Sequence, residues 1–93
     1  MNNDIAQVIQ QTAAVLKASG AKEVYIFGSA AKGTAKEGSD IDFAVAGLSP
    51  QEFFKALSEA SRISPGPLGL VDLDEITSFT RYLKEEGELR RVA

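Results

Sequence analysis

Two short groups of residues could together hold a phosphorylated ligand and a metal ion. Gly28-Ser29 ends one apolar run, and Asp40-x-Asp42 begins the next after a spacer of ten residues. Because side chains alternate along a strand, Asp40 and Asp42 are expected on one face, where their carboxylates repel each other unless a cation lies between them. Carboxylate oxygens suit Mg²⁺, and a Gly-Ser turn before a short helix offers N–H groups and a hydroxyl to phosphate. The spacing therefore predicts a nucleotide site.

The residue types that the sequence lacks limit the chemistry of such a site. The chain has no cysteine and no histidine, which excludes thiolate nucleophiles, Ser-His-Asp triads and histidine general bases. Any catalysis must then depend on carboxylates, hydroxyls, lysine or arginine and a hard metal ion. The 93 residues, of which 44% are hydrophobic and 25% charged, predict one globular domain over residues 1–93.

The charge distribution argues against a nucleic acid as the main partner. The formal net charge is −3, whereas binding to a nucleic-acid backbone requires a basic face. Basic residues cluster at Lys32 and Lys36 in the spacer, where they could lean toward a triphosphate, and at Arg90-Arg91, which we expect to be solvated surface. No apolar run approaches the length of a membrane span and no secretory leader pattern is present, so we expect a cytoplasmic protein without a membrane segment.

Hydrophobic periodicity and turn residues predict the elements that position these groups. Strands are predicted over residues 23–27, 40–46 and 68–73, and helices over residues 4–18, 29–35, 50–61 and 76–86. Ser49 and Glu52 form a capping-box pattern at the start of the third helix. This alternation predicts an α/β (α+β) fold, in which a small mixed β-sheet is flanked by helices.

Two of these elements carry definite expectations about burial. In the strand over 40–46, one face is made of Ile41, Phe43 and Val45 and is expected in the core. The other face begins with the two aspartates and continues with small alanines, which leaves room for a ligand. The third helix is expected to pack inward through four apolar residues, Phe53, Phe54, Leu57 and Ala60.

Three segments of the chain follow a known family pattern. They are Tyr25 to Ser29, Gly33-Thr34 and Gly38 to Asp42, and together they resemble the minimal nucleotidyltransferases of the DNA polymerase β-like superfamily over residues 5–90. The resemblance implies a nucleotidyltransferase fold, whose small mixed sheet carries the carboxylates and has helices packed on one side. It also implies Mg²⁺-dependent transfer of a nucleoside monophosphate, expected to be AMP, from ATP or another nucleoside triphosphate to an acceptor hydroxyl.

The resemblance also assigns roles to individual residues of the motif. Gly28 and Ser29 would hold the β- and γ-phosphates, and Gly33 and Ser39 belong to the same nucleotide-binding pattern. The aspartate pair would bind Mg²⁺. In an arrangement with two metal ions, the second ion needs a further carboxylate, which also helps to activate the acceptor hydroxyl.

The third carboxylate is the position at which the chain departs from the family pattern. Aligning Val71-Asp72-Leu73 with the end of the family's third strand segment places Gly69 at that position. Asp72 is the candidate replacement, although strand alternation turns it away from the side of Gly69 unless a bulge or an early strand end changes the parity. Asp74 has the same parity and is well placed to cap the next helix. With Asp72 in the site we expect the full transfer reaction, and without it nucleotide binding with slow or absent turnover.

The resemblance finally implies a protein partner. Family members of this size resemble the nucleotidyltransferase half of a pair with a helical HEPN-type protein, often a toxin–antitoxin couple. In such a pair the chain would act as the antitoxin, either by adenylylating its partner or by masking it through direct contact. The second mode requires no catalysis, so a catalytically impaired nucleotide-binding antitoxin is the alternative function. Self-association into a homo-oligomer stays open.

Overall fold

Helices and strands alternate along the chain, and the strands form one sheet. The structure is a computed structural model and describes residues 5–36 and 40–93. The elements in chain order are α1 (Ile5–Ala18), β1 (Glu23–Phe27), α2 (Ser29–Lys32), β2 (Ile41–Ala46), α3 (Pro50–Ile63), β3 (Leu68–Asp72), α4 (Ser78–Glu85) and β4 (Arg90–Arg91). No helix in these two ranges is both long and apolar enough to cross a bilayer.

The four strands form a mixed sheet with the order β3-β2-β1-β4. β1 pairs antiparallel with β2 on one side and with β4 on the other, whereas β2 and β3 run parallel. The parallel pair is joined by α3, as a parallel connection requires a crossover. The prediction of a small mixed sheet flanked by helices is confirmed.

The strand β4 is absent from the sequence prediction. Its two residues, Arg90 and Arg91, expose their side chains as expected, but their backbone extends the sheet next to β1. The pairing continues beyond the strand, because Val92 N donates to Val24 O at 2.8 Å and Val24 N donates to Ala93 O at 3.0 Å. Because these two exposed arginines have no hydrophobic pattern, the strand can be recognised only from its pairing with β1.

The main core lies between one face of the sheet and the helices α1 and α3. The predicted inward face of β2 is confirmed, since Ile41, Phe43 and Val45 are all buried in this cluster. Leu16 of α1 and Ala60 of α3 are fully buried against the same cluster. This packing fixes the strand from which the predicted aspartate pair projects.

The second face of the sheet is also covered, which corrects two expectations. Ala44 of β2 is fully buried in a smaller cluster with Leu73 and with Leu83 of α4. Helices therefore lie on both sides of the sheet, and the space that was expected beside the alanine of β2 is filled. A small residue at position 44 lets the leucine of α4 approach the sheet closely.

The helix α3 begins as predicted and differs in one burial assignment. Ser49 Oγ accepts from Glu52 N at 3.2 Å and Glu52 Oε1 accepts from Ser49 N at 3.0 Å, so the capping box is formed. The inward stripe of α3 passes through Ala56 and Ala60, and Phe54 is 69% exposed. The prediction that Phe54 packs inward is wrong, because it lies about 200° around the helix axis from Ala56, off that stripe.

The helix α4 is shorter than predicted and has a different cap. Thr77, not Asp74, is the N-cap residue, and its Oγ1 accepts from Thr80 N at 3.1 Å. At the other end Gly87 has φ +68°, and Glu88 N donates to Leu83 O at 3.3 Å, so the glycine ends the helix.

Candidate nucleotide site

The antiparallel pairing of β1 and β2 brings the two halves of the motif together. Phe27, the last residue of β1, is the register partner of Asp42 near the start of β2. Gly28 and Ser29 therefore follow β1 at the same edge of the sheet at which the aspartate pair begins β2. Sequence reasoning predicted both halves, and the hairpin register explains how they meet.

Gly28 is required at its position for two separate reasons. Its backbone has φ +68° and ψ −144°, a region that residues with a side chain rarely adopt. A Cβ placed on Gly28 would also lie 3.1 Å from Asp42 Oδ2, closer than nine in ten real Cβ contacts. The absence of a side chain thus lets the turn and the carboxylate lie against each other.

A short helical turn follows the glycine and orients its first residues. Ser29 begins α2, and Ser29 O accepts from Thr34 N at 2.9 Å and from Ala35 N at 3.2 Å. Gly33 ends α2 with φ +76°, and a Cβ there would meet nothing within 4 Å. The structure gives Gly33 a conformational reason to be glycine, while its predicted contact with nucleotide stays a prediction. Ser39, predicted to bind nucleotide, lies outside the described residues.

The aspartate pair concentrates negative charge at this edge of the sheet. Partial burial of Asp42 raises the pKa of its carboxyl group, and the negative charge of Asp40 raises that pKa further. Asp40 itself is exposed to solvent. A divalent cation would remove this repulsion, so the hard oxygen donors and their charge fit Mg²⁺. Among residues 5–36 and 40–93, no group of three acidic, histidine or cysteine side chains could hold a metal ion.

The position that the family pattern reserves for a third carboxylate faces Asp42 directly. Gly69 of β3 is the parallel register partner of Asp42. A Cβ built on Gly69 would overlap Asp42 Oδ1 and would lie 3.5 Å from Asp42 Cγ. The carboxylate of Asp42 therefore occupies the space in which a side chain at position 69 would begin.

The structure does not bring Asp72 to the aspartate pair. Asp72 is in register with Val45, three residues along β3 from Gly69, and the register runs without interruption between them. An odd spacing in a regular strand places the two residues on opposite faces. Asp72 Oδ1 instead accepts from Asp74 N at 2.9 Å. No bulge changes the parity, so the prediction of Asp72 as a catalytic carboxylate is not supported.

Asp74 has a structural contact that the sequence does not reveal. Its Oδ2 accepts from Gly47 N at 2.7 Å, which links the segment after β3 to the segment after β2. The expectation that it caps the following helix is wrong, because Thr77 occupies that position. The carboxylates of Asp72 and Asp74 therefore both accept hydrogen bonds from backbone N–H groups.

Sequence reasoning missed a pair of aromatic side chains beside the motif. A small pocket next to Gly28 and Lys32 is also lined by Phe79 and Tyr82 of α4. Their spacing of three residues on a helix places them on the same side and could have been noticed. What could not be foreseen is that α4 lies across the face of the sheet that carries Asp42.

Comparison with known proteins places the chain in a class. The family model "Polymerase beta, Nucleotidyltransferase" matches residues 3–89. The chain belongs to this nucleotidyltransferase family. No curated protein sequence gives a significant match.

Solved structures with this fold include proteins assigned to the minimal nucleotidyltransferases and components of toxin–antitoxin pairs. A protein assigned as a minimal nucleotidyltransferase is 21% identical and superposes with a TM-score of 0.70, covering 99% of this chain and 97% of that one. A toxin–antitoxin crystallised with AMP-PNP is 20% identical with a TM-score of 0.68, covering 88% and 70%. A mutant of the MntA–HpeT toxin–antitoxin is 18% identical with a TM-score of 0.67, covering 96% and 72%. At these identities the likeness establishes the fold.

Proposed function

We propose that this chain is a Mg²⁺-dependent nucleotidyltransferase that moves a nucleoside monophosphate, with AMP as the expected group, from a nucleoside triphosphate to an acceptor hydroxyl. The observation that carries the proposal is the close approach of the Gly28 turn to the Asp42 carboxylate. In the reaction the acceptor oxygen bonds to the α-phosphorus, and the bond from that phosphorus to the bridging oxygen of the β-phosphate breaks. Pyrophosphate leaves with the electron pair, and the acceptor proton passes to water or to a carboxylate.

The Gly28 turn and the aspartate pair have separate tasks in this reaction. The Ser29 hydroxyl and the N–H groups at the start of α2 donate to the β- and γ-phosphates, and Gly28 lets the chain approach them closely. Asp40 and Asp42 would hold Mg²⁺, and the ion would supply positive charge to offset that of the phosphates and of the leaving pyrophosphate. A second ion would find no carboxylate on β3 beside the first, since that position is Gly69.

A second function, neutralisation of a partner by contact with little or no turnover, is favoured by Gly69. Activation of an acceptor hydroxyl needs a base within hydrogen-bonding reach, and the family position for it carries no side chain here. The chain would still bind Mg²⁺-nucleotide through the aspartate pair and the Gly28 turn. Nucleotide binding is thus common to both functions, and turnover separates them.

For the partner, we propose a helical HEPN-type protein in the cytoplasm, where ATP and Mg²⁺ are available. The chain carries exposed apolar surface that such a partner could cover. A groove of about 590 Å³ runs along β3 between α3 and α4, and its aromatic lining is formed by Phe53, Phe54 and Phe79. Large apolar side chains grouped on an exposed surface are typical of protein interaction sites.

Two measurements on the purified chain test these functions. The chain is incubated with ATP, Mg²⁺ and its HEPN-type partner, and the intact mass of the partner is recorded. A mass increase of one AMP that is lost in Asp42→Asn supports transfer. A stable complex without a mass increase supports neutralisation by contact. The absence of both a mass increase and a complex would contradict both functions.

Asp72→Asn is the matched control for Asp42→Asn. Both changes remove one carboxylate charge from the sheet, but Asp72 lies on the opposite face and its acceptor oxygen is kept in asparagine. We expect Asp72→Asn to bind Mg²⁺-ATP within about twofold of the unmodified chain, as for a surface substitution away from a site. Equal losses in the two variants would contradict the assignment of the site to Asp42.

A further inference from the structure

A small pocket lies beside the Gly28 turn, and its aromatic lining is not used by the proposed phosphate and metal contacts. Its volume is about 180 Å³, roughly that of six water molecules in the liquid. Gly28 and Lys32 line one side, and Phe79 and Tyr82 of α4 line another. A ligand whose phosphates rest on the Gly28 turn would therefore have this pocket next to it.

The two aromatic side chains are available for contact. Phe79 is 48% exposed and Tyr82 is 51% exposed. The rings of Phe79 and Phe27 contact each other in an edge-to-face arrangement, with ring centroids 5.8 Å apart and an angle of 68° between the planes. Since Phe27 is the last residue of β1, this contact ties the aromatic side of the pocket to the strand that leads into Gly28.

The chemistry of the pocket matches a flat ring system joined to an anion. Exposed aromatic faces stack on nucleobases, and such stacking tolerates different bases because every base has a π-face. Lys32 and Glu88 add one positive and one negative group to the lining. The positive group favours the phosphate end of a ligand, and the carboxylate can accept hydrogen bonds from the edge of a base.

We propose that this pocket is the nucleobase subsite of the chain, in which the base of the bound nucleotide stacks on Phe79 and Tyr82. The inference rests on the proposed nucleotide-binding function and adds to it the place and chemistry of the base contact. It gives α4 a task in ligand binding in addition to its packing through Leu83.

Calorimetric titration with two ligands tests the proposal. Mg²⁺-ATP carries a base and Mg²⁺-tripolyphosphate does not, while both present a triphosphate to the Gly28 turn. For Tyr82→Ala and Phe79→Ala we expect the affinity for Mg²⁺-ATP to fall roughly tenfold, as for loss of one stacking partner. The affinity for Mg²⁺-tripolyphosphate is expected to stay unchanged. Tyr82→Phe keeps the ring and should bind both ligands like the unmodified chain.

Phe54→Ala is the matched control, because Phe54 is an equally large, more exposed aromatic side chain that does not line this pocket. An unchanged affinity for Mg²⁺-ATP in Tyr82→Ala and Phe79→Ala would overturn the subsite while leaving nucleotide binding intact. Equal losses for both ligands would also overturn it, since they would indicate damage to the phosphate contacts. If the unmodified chain binds neither ligand, the proposed nucleotide function fails and the subsite with it.

Fluorescence supplies a second readout that does not depend on affinity. The chain has two tyrosines and no tryptophan, so its intrinsic emission comes from Tyr25 and Tyr82. Stacking of a base on Tyr82 is expected to quench this emission on addition of Mg²⁺-ATP, and Tyr82→Phe should remove the quenching without loss of binding. Quenching that persists in Tyr82→Phe would contradict the proposal.

Discussion

Asp42 and Gly69 are direct partners in the parallel register of β2 and β3, and the carboxylate of Asp42 extends over the Cα of Gly69. A carboxylate at position 69 would stand beside Asp42 as the family pattern requires. In this chain the carboxylate of Asp42 occupies the space that a side chain at position 69 would need. The conformation of the carboxylate that we propose as a metal ligand is therefore linked to the absence of a side chain on the neighbouring strand.

Gly69→Ala is expected to weaken the binding of Mg²⁺-ATP through Asp42. The added Cβ would overlap Asp42 Oδ1, so the carboxylate must turn away from its present position. We expect a loss of about tenfold in affinity, comparable to displacement of one charge-assisted interaction. Calorimetric titration of Gly69→Ala, Asp42→Asn and the double variant checks the mechanism. In the Asp42→Asn background the Gly69→Ala change should add nothing, and additive losses would indicate an effect that bypasses Asp42.

Gly28→Ala is expected to lower both stability and nucleotide binding. A side chain at φ +68° costs about 1 kcal/mol or more, and the Cβ would in addition press against Asp42 Oδ2. Gly87→Ala is the matched control, because Gly87 also has φ +68° but its Cβ would meet nothing within 4 Å. Urea denaturation should show a loss in both variants, whereas calorimetry should show lost Mg²⁺-ATP binding in Gly28→Ala alone. Full nucleotide binding by a folded Gly28→Ala protein would contradict the role of the turn.

The carboxyl group of Asp42 should make stability depend on pH in a definite direction. Its pKa is raised in the folded chain, so the native state binds this proton more tightly than the unfolded state does. Stability therefore falls as the pH rises from the usual aspartate range through the raised pKa, and the cost is complete at neutral pH. Asp42→Asn should raise stability at pH 7 by up to about 1 kcal/mol, since the group is largely solvated.

Urea denaturation of Asp42→Asn and the unmodified chain at pH 7 and at acid pH measures this effect. The difference in unfolding free energy should shrink below the usual aspartate pKa, where both side chains are neutral. Saturating Mg²⁺ should also reduce the penalty in the unmodified chain at pH 7, because the cation offsets the repulsion between the two aspartates. A stabilisation that is equal at both pH values would show that charge is not its cause.

Phe54→Ala is expected to weaken the complex with the proposed HEPN-type partner without unfolding the chain. Phe54 is 69% exposed and lines the groove along β3, so its loss leaves the core intact. Stability should change by no more than about 0.5 kcal/mol. Ile76→Ala is the control, because Ile76 is 86% exposed and lies outside the groove lining. Surface plasmon resonance should show weaker binding for Phe54→Ala only, and equal effects would argue against this groove as the interface.

The sequence predicts best those features that depend on neighbouring residues. The bounds of β1 agree with the prediction, because a short run of β-branched and aromatic residues marks a strand. The bounds of β2 differ by one residue, and there the apolar residues have a period of two. The capping box at Ser49 is equally local. The motif also predicted that Gly28 lies close to the aspartates, and the antiparallel pairing of β1 with β2 is sufficient to bring them together.

Features that depend on distant parts of the chain were not predictable in the same way. β4 forms because one side of β1 has backbone groups available for strand pairing, and the sequence Arg90-Arg91 does not indicate a strand. The burial of Ala44 depends on where α4 packs, 30 or more residues later in the chain. The parity of Asp72 could be reasoned from alternation, but whether β3 contains a bulge required its register with β2.

The hydrogen bond from Gly47 N to Asp74 Oδ2 has a consequence for folding fidelity. It joins the exits of two parallel strands whose pairing has no hairpin turn to align it. A slip of β3 by one residue would place a leucine against Asp42 in place of Gly69, and it would also separate Asp74 from Gly47. The hydrogen bond therefore stabilises the correct register of the two strands. Misaligned strands lack it, and only the alignment that leaves Asp42 unobstructed contains it.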